Sequence, residues 1–422
     1  MGKTLSLEGV DLEWARGQFR QYYSAEAIAL PARFTRREFA AFPFTTATLM
    51  RRHEAFRSAE AFRGFLARDT PRHVYYSSAY YRTPDAPNMA AKEWLGADLI
   101  FDLDADHLRQ AERLDFPSQL VRVRERVRDL YDDFLIGDFG VDPEQTHLVF
   151  SGGRGYHIHV QDPRFQQLTS PERRELVDYI LGTGLEPGTA IQDGLEPDLG
   201  SVSVEDPNAA GAADEPGPGR RRRARRFKRL QPPDAPGWRG RITRALNRLL
   251  LRWEAEGPEQ AQAELEGLGI PKKVARGLVR QLLEHGHARQ ILEGQSLDVF
   301  PGDAPKDLLE TVLRIAAIEL QGETDAPVTT DVHRLIRLPG SLHGGTGFRV
   351  VPLTRDRLED FDPFREATIA LSGDRAVSVE FHETVDYPFP PASVHGTEGE
   401  VREIPVGAAL FLILRGEATL RP

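Results

Sequence analysis

The segment LIFDLDADH, residues 99–107, constrains the chain more than any other stretch. Its apolar start is typical of a buried strand, and carboxylates follow at every second position, as Asp102, Asp104 and Asp106. Side chains on a strand alternate faces, so the three carboxylates would share one side at spacings of about 7 Å. Like charges gathered in this way repel each other, and a divalent cation between them removes the repulsion. The segment therefore predicts a metal-binding strand end, against the simpler alternative of a surface strand that ends in polar residues.

A second interpretation of this segment is the haloacid-dehalogenase phosphatase motif Asp-x-Asp-Gly-Thr, whose first aspartate is a nucleophile. The segment begins in that way. It departs at Ala105-Asp106-His107, where the phosphatase motif needs a tight Gly-Thr turn. That departure excludes the phosphatase interpretation.

A glycine-rich turn follows in THLVFSGGRGYHIHV, residues 146–160, which predicts a β-hairpin. Its three glycines allow the backbone to approach an anion closely, beginning at Ser151, and Arg154 supplies a fixed fork for phosphate oxygens. His157 and His159 would share one face of the returning strand. The alternative is an ordinary glycine hairpin with a surface arginine and two structural histidines.

A second cationic element, RLIRLPGSLHGGTGFR at residues 334–349, comes shortly after Asp325. It surrounds a Pro-Gly turn and a glycine-rich loop with basic side chains: Arg334, Arg337, His343 and Arg349. A solvated basic loop is the alternative here. Acidic metal ligands between two cationic glycine-rich loops are the layout expected for nucleoside triphosphate chemistry, in which two metal ions about 4 Å apart clamp an in-line phosphoryl displacement.

The amino-acid composition excludes several kinds of site and function. The 422 residues contain no cysteine, which excludes disulfides, cysteine zinc sites and iron–sulfur ligation in this chain. The net charge of -10 means that contact with nucleic acid must come from locally basic patches. No apolar run reaches the roughly 18 residues of a membrane span, and the first residues are too acidic for a signal peptide, so we expect a cytoplasmic protein without membrane contact.

The order of segments predicts a mixed α/β chain with an inserted helical subdomain. Helical and strand-like segments alternate over residues 1–169, and apolar residues at i, i+3 and i+4 predict helices at 118–135, 242–253, 271–286 and 305–320. We place the helical subdomain at 170–320, with a flexible Pro/Gly/Arg-rich insertion at about 200–240. Residues 321–422 return to strand and turn patterns and include the apolar stretch GAALFLILRG.

The chain resembles the catalytic small subunit of the archaeal and eukaryotic type of DNA primase. The resemblance is carried, in order, by REFAAF (37–42), LMRRHEAF (49–56), LIFDLDADH, VFSGGRGYHIHV and DAPVTTDVHRLIRLPGSLHGGTGFRVVPL (325–353). It implies a primase catalytic fold of the α/β (α+β) class, with an RNA-recognition-like mixed sheet. An acidic, lysine-poor composition suits high salt, so we expect a halophilic archaeal source.

The resemblance also implies roles for particular residues. The metal-binding aspartates of the family correspond to Asp102, Asp104 and Asp325, which would hold Mg²⁺ or Mn²⁺ in a two-metal site. Nucleotide-binding residues correspond to Arg52, Ser151, Arg154, His157, Arg337 and His343. Asp106 has no counterpart. The partners implied are a primase large subunit in a heterodimer, a single-stranded DNA template and nucleoside triphosphates.

The implied activity is template-directed synthesis of short primers for replication, which is a nucleotidyltransferase reaction. The resemblance also allows DNA polymerase activity. A primer-dependent repair or end-joining polymerase of the same superfamily would share these residues, and a non-catalytic nucleic-acid-binding protein would need the basic loops but not three aspartates. Many relatives carry a cysteine zinc site between the strand motif LIFDLDADH and the hairpin motif VFSGGRGYHIHV. We expect that loop to pack without zinc in this chain. For the run Arg220 to Arg229 we expect a solvated loop, with a primer–template phosphate contact as the alternative.

Overall fold

The structure, a computed structural model, describes residues 9–45, 49–107, 114–196, 225–297, 310–313, 315–316, 326–369 and 376–421. The chain forms two compact units, one made of residues 1–181 with 322–422 and the other of residues 182–321. Both contain helices and antiparallel strands, so the predicted mixed α/β class is confirmed. Within the described residues no helix is long and apolar enough to cross a membrane.

The helices of the described residues follow the chain as α1 (Gly9–Ala25), α2 (Ala59–Asp69), α3 (Phe116–Asp129), α4 (Ser170–Ile180), α5 (Trp238–Glu256), α6 (Pro258–Gly267), α7 (Lys272–Val279), α8 (His287–Gly294), α9 (Ala326–Thr330), α10 (Pro363–Glu366) and α11 (Val406–Arg415). The strands are β1 (Phe39–Phe42), β2 (Arg51–Glu54), β3 (His73–Ser77), β4 (Ala79–Tyr81), β5 (Trp94–Ala97), β6 (Leu99–Asp104), β7 (Thr146–Phe150), β8 (Gly155–Val160), β9 (Ile191–Glu196), β10 (Arg225–Leu230), β11 (Leu335–Arg337), β12 (Val351–Leu353), β13 (Ala376–Phe381), β14 (Val385–Tyr387), β15 (Val394–Gly396), β16 (Val401–Pro405) and β17 (Ala418–Leu420).

Two four-stranded antiparallel sheets position the predicted site in the first unit. The order of one sheet, called sheet A here, is β11-β3-β1-β2, and the order of the other, sheet C, is β12-β7-β8-β6. In each sheet an edge strand from the C-terminal segment pairs with strands from the N-terminal segment. The predicted hairpin of residues 146–160 is present as β7 and β8.

Helix α3 packs beside sheet C because one of its faces is apolar. Leu120, Val123 and Val127 are buried at helical spacing, and Asp115 caps the first turn by accepting a hydrogen bond from Ser118 N at 2.8 Å. The helix continues as a π-helix over Leu130–Asp138. The predicted helix over 118–135 is therefore confirmed, with a wider final turn.

The C-terminal segment differs from its sequence-based description in one element. The stretch GAALFLILRG, grouped with strand and turn patterns above, lies in helix α11, whose residues from Ala408 to Leu414 are all buried. A helix that is buried on every side carries no polar stripe, so its sequence does not show helical periodicity. It packs on α1 and on the sheet β16-β13-β17.

The second unit contains α5 to α8 and the two-stranded sheet β10-β9. Part of the expected flexible insertion at 200–240 is instead a strand, β10. Its residues 225–230 pair with residues 191–196 over six positions, and Leu230 is buried. Residues 197–224, which include Arg220 to Arg223, lie outside the described residues, as does most of the helix predicted at 305–320. Helix α4, placed at the start of the helical subdomain above, lies in the first unit.

Candidate active site

Asp102 and Asp104 lie on strand β6 with their side chains on the same side of the sheet. The strand is held by β8, in which His157 is opposite Asp102 and Gly155 is opposite Asp104. Both carboxylates are partly exposed, at 24% and 34% of their side-chain area. The apolar residues that alternate with them, Phe101 and Leu103, are buried and anchor the strand. The two aspartates are therefore fixed at an accessible position on a rigid element.

Asp106 is not part of that strand. It lies in a short 3₁₀ turn, Ala105–His107, and its exposed carboxylate accepts a hydrogen bond from Arg154 Nη2 at 2.5 Å. The same guanidinium nitrogen is 3.9 Å from Asp104 Oδ1. The backbone N–H of Asp106 donates to Asp104 Oδ1 at 3.0 Å. The expectation that three carboxylates share one strand face holds for two of them, because the turn redirects the third toward Arg154.

The environment of Asp104 fits a divalent cation. Burial raises the pKa of this carboxyl above its usual value. The hydrogen bond from the Asp106 backbone N–H and the charge of Arg154 lower the pKa in part, and the charges of Asp102 and Asp106 raise it further. A cation beside it would reverse that shift, and carboxylate oxygens are the ligands that Mg²⁺ prefers. Asp325, the third predicted ligand, lies outside the described residues. Among the residues that are described, no cluster of three or more His, Asp or Glu side chains forms a metal site without it.

His157 is buried beside Asp102, with Nε2 3.5 Å from Asp102 Oδ1. Burial is the main reason that the pKa of His157 falls to about 3, and the positive charges of Arg337 and Arg334 lower it further. The ring is therefore neutral at physiological pH. Its Nδ1 atom is buried and has no hydrogen-bond partner among the described residues. A neutral imidazole of this kind can donate a hydrogen bond without adding positive charge.

The glycine turn between β7 and β8 packs directly against the second cationic loop. Gly152 has a φ of 77°, and a Cβ there would lie 2.7 Å from Cβ of His343, so only glycine fits. The Thr346 hydroxyl donates to Gly152 O at 2.5 Å, and Ser151 Oγ accepts from Gly153 N at 3.3 Å. The two loops that the sequence predicts as phosphate-binding elements thus form one continuous surface.

His343 and Arg337 join this surface to sheet A. The His343 ring lies 5.2 Å from that of His73, whose Nδ1 accepts a hydrogen bond from Arg337 Nη1 at 2.5 Å. Burial lowers the pKa values of both histidines well below the usual value, and Arg337 lowers them further. Arg337 therefore carries the positive charge of this group, while the two rings are neutral.

Arg52 lies on β2, at the opposite edge of sheet A. Its Nε and Nη2 donate to the two carboxylate oxygens of Glu38, at 3.0 and 3.3 Å. Glu38 is fully buried and is also 3.6 Å from the buried ammonium of Lys92. A guanidinium held by both oxygens of a buried carboxylate has little freedom, so Glu38 fixes Arg52. Arg52 itself is 38% exposed.

Glu38 and His73, which position Arg52 and Arg337, were not predicted from the sequence. Glu38 lies within the segment REFAAF that was recognised as a whole, and His73 begins the strand HVYYS. Two other basic residues of the second loop, Arg349 and Arg334, differ in their contacts. Arg349 donates to Glu366 O at 2.5 Å and is tied to the fold, whereas Arg334 lies near enough to His157 to lower its pKa.

Comparison with known proteins places the chain in a family. The sequence model of the DNA primase small subunit family matches residues 101–355. Three relatives named DNA primase small subunit PriS are similar over nearly the full length. The protein of Methanothrix thermoacetophila is 39% identical, over 98% of this chain and 99% of its own length. That of Methanocella arvoryzae is 37% identical, over 96% of this chain and 98% of its own length. That of Halobacterium salinarum is 35% identical, over 96% of this chain and 97% of its own length. The chain therefore belongs to the DNA primase small subunit family.

Proposed function

We propose that this chain is the catalytic subunit of a DNA primase and makes short primers on single-stranded DNA by nucleotidyl transfer. The observation that carries the proposal is the placement of Asp102 and Asp104 beside a continuous cationic surface formed by the two glycine-rich loops. Family membership supports the same activity. The 3′-hydroxyl of an initiating nucleotide or primer attacks the α-phosphate of an incoming nucleotide, and pyrophosphate leaves.

The carboxylates of Asp102, Asp104 and Asp325 would hold Mg²⁺ or Mn²⁺. When bound, the metal ions lower the pKa of the attacking hydroxyl and stabilise the charge of the departing pyrophosphate. Strand β6 contributes rigidity, since Asp102 and Asp104 are anchored between buried residues of the same strand. A carboxylate pair that does not move on substrate binding has no reorganisation to complete during the reaction.

The triphosphate would bind across the glycine turn and the second loop. Arg337 and Arg154 supply positive charge, and Ser151, His157 and His343 supply neutral hydrogen-bond donors close to the turn. Arg154 contacts Asp106 in the free protein, so it exchanges an exposed carboxylate for a phosphate when the nucleotide binds. Arg52, fixed by Glu38, provides a further contact for the nucleotide.

The partners in this proposal are nucleoside triphosphates, a single-stranded DNA template and a primase large subunit, the last because PriS names one subunit of a pair. A cytoplasmic location remains part of the proposal. With no cysteine in the sequence, the loop after β6 would need no zinc to pack.

The test is synthesis on unprimed single-stranded DNA with labelled nucleotides and Mn²⁺. We expect products from the wild-type chain, and less than about one thousandth of that yield from the variant Asp102→Asn/Asp104→Asn. EDTA should abolish synthesis, and added Mg²⁺ or Mn²⁺ should restore it. The control variant Glu144→Gln removes an exposed carboxylate away from β6 and should synthesise normally. Normal synthesis by the double variant would contradict the proposal.

A primer-dependent repair polymerase is the second candidate, because it would use the same carboxylates and the same cationic surface. It predicts extension of an added primer and no product from unprimed template. Adding the large subunit to the assay separates this candidate from a primase subunit that needs its partner to initiate. A non-catalytic DNA-binding protein predicts neither product.

A further inference from the structure

The face of sheet A that carries Arg337 has aromatic side chains that the catalytic proposal does not use. Phe42, His73 and Tyr75 are all partly exposed, although β1 and β3 are the central strands of the sheet. The opposite face of the same strands is fully packed, with Phe39, Val74 and Tyr76 buried. One face of the sheet is therefore core, and the other is accessible.

The strand register puts these side chains in one group. Phe42 is opposite His73, and Tyr75 is opposite both Ala40 on β1 and Arg337 on β11. Residues directly opposite each other in an antiparallel pair share a face. The Phe42 ring lies 6.0 Å from the ring of Tyr75, edge to face. We call Phe42 and Tyr75 the aromatic pair.

One cationic group, Arg337, contacts the aromatic pair directly. The guanidinium carbon of Arg337 lies 5.1 Å from the centre of the Tyr75 ring, and the His73–His343 contact continues the surface to the glycine turn. Glu38, the buried residue before β1, is two residues from Ala40 and holds Arg52. Arg337, which is proposed to bind phosphate, thus lies over one face of the partly exposed Tyr75 ring.

We propose that the aromatic pair is a stacking platform for the base of the nucleoside triphosphate whose phosphates bind Arg337 and His343. The inference rests on the proposed function, since it assigns the base-binding part of the same site. We choose a nucleotide base as the occupant of this platform because the platform is continuous with the proposed phosphate-binding groups. A ligand whose phosphates lie on Arg337 and His343 can extend to the face of the Tyr75 ring that Arg337 does not cover, without leaving the surface that the two loops and sheet A share.

The chemistry of the platform is tolerant of base identity. Every nucleobase has a π-face, and stacking on an aromatic side chain stabilises binding by about 1–3 kcal/mol per base without reading its hydrogen-bonding edge. A template-directed enzyme needs that property, because it must accept each of four bases at one site and leave selection to base pairing. Sheets with accessible aromatic residues bind single-stranded nucleic acid in the same way.

The test compares binding of ATP, CTP and inorganic tripolyphosphate to the full-length chain in Mg²⁺, by calorimetry. We expect Tyr75→Leu to raise the Kd for ATP by at least about fivefold, the lower end of the range for one stacked base. The Kd for tripolyphosphate should stay within about twofold, and ATP should lose more than CTP because a purine has the larger ring surface. Tyr75→Phe keeps the ring and should bind ATP like the wild type. Phe42→Leu should weaken ATP binding less than Tyr75→Leu, because Tyr75 is the ring of the pair that contacts Arg337.

Several outcomes would overturn the inference. Unchanged ATP binding by Tyr75→Leu would do so, and so would an equal loss of ATP and tripolyphosphate binding, which would indicate a structural role for Tyr75. Loss of single-stranded DNA binding with ATP binding intact would move the platform to the template. A wild-type chain that binds neither ATP nor tripolyphosphate would instead contradict the proposed function as well.

Discussion

Asp104 and Asp106 are two residues apart but have opposite settings. Asp104 is on β6, where burial raises the pKa of its carboxyl, while the Asp106 carboxylate is 62% exposed and hydrogen-bonded to Arg154. Exposed ion pairs contribute little to stability, on the order of 0–1 kcal/mol. We therefore expect Asp106 to hold Arg154 only while no nucleotide is bound.

Single substitutions distinguish the roles of Asp104 and Asp106 in synthesis. We expect Asp106→Asn to keep primer synthesis within about threefold of wild type and to lower the KM for nucleotide slightly, because Arg154 no longer has to leave a charged partner. Arg154→Ala should raise the KM several-fold. Steady-state kinetics with varied nucleotide concentration measure both effects. A loss of synthesis in Asp106→Asn equal to that in Asp104→Asn would assign Asp106 to the metal site.

His159 is a second residue whose protonation state matters, away from the aspartates of β6. It is buried, stacked on Tyr76, and 3.1 Å from the Tyr76 hydroxyl through Nδ1. Burial, followed by the neighbouring His157, lowers its pKa to about 3. The folded state therefore binds this proton less readily than the unfolded state, in which the pKa is about 6.5. The contribution of the neutral ring is present above about pH 6.5 and is lost as the pH falls toward 3.

Urea unfolding at two pH values tests this linkage. The wild type should lose up to about 2 kcal/mol of unfolding free energy between about pH 7 and pH 5 through His159, and His159→Gln should lose that much less. The exposed His285 gives the control variant His285→Gln, which should keep the wild-type difference. The same pH difference in His159→Gln and wild type would show that the ring is already protonated at the lower pH in the folded protein.

Among the elements, the pairing of β6 with β8 depends on Gly155. A Cβ at this position would lie 2.4 Å from Leu103 O and 3.0 Å from Asp104 Cα, both backbone atoms that cannot move without displacing β6. The glycine therefore sets the distance between the carboxylate strand and the hairpin. It affects the site although its own backbone φ is ordinary.

Gly155→Ala should consequently destabilise the protein by about 1–3 kcal/mol and reduce primer synthesis more than its stability loss explains, because Asp104 shifts with β6. Thermal unfolding and synthesis at a temperature well below the transition measure the two effects separately. Gly64→Ala on the exposed face of α2 meets no atom within 4 Å and should raise stability by up to about 1 kcal/mol. Normal synthesis by a folded Gly155→Ala protein would show that the spacing of the strands is not critical.

Elements with a regular pattern were predictable from the sequence, and two others were not. The hairpin of β7 and β8 has turn glycines between apolar strands, and α3 has an apolar stripe, so both signals are local. Helix α11 is buried on every side and shows no stripe, while β10 is an arginine-rich strand whose partner β9 is distant in sequence. The contacts of Arg52 with Glu38 and of Arg337 with His73 likewise join segments that no local pattern relates.

For the whole molecule, the balance of charge is the dominant electrostatic feature. Acidic residues exceed basic ones by ten, although the two glycine-rich loops of the candidate site carry Arg154, Arg334 and Arg337. Self-repulsion of the acidic surface acts over the Debye length, which falls from about 10 Å at 0.1 M salt to about 3 Å at 1 M. Binding of DNA to the cationic surface weakens over the same range, because the release of counterions from DNA contributes less free energy at high salt.

Salt should therefore have opposite effects on stability and on template binding. Raising KCl from about 0.1 to about 1 M should increase the Tm by several degrees and weaken single-stranded DNA binding at least about tenfold. Calorimetry and fluorescence anisotropy on the same samples measure the two quantities. A Tm that does not change, or that falls, would show that repulsion within the acidic surface is not limiting stability.

The first unit takes its strands from both ends of the chain. Strands β11 and β12, which complete the edges of sheets A and C, come from the segment after residue 321. During synthesis on the ribosome, β3 and β7 therefore emerge long before β11 and β12, and one edge of each stays open while the second unit is made. We infer that the catalytic unit closes only late in translation, so a truncated product that ends before β11 carries both aspartates of β6 yet lacks Arg337 and His343, on which a nucleotide would bind.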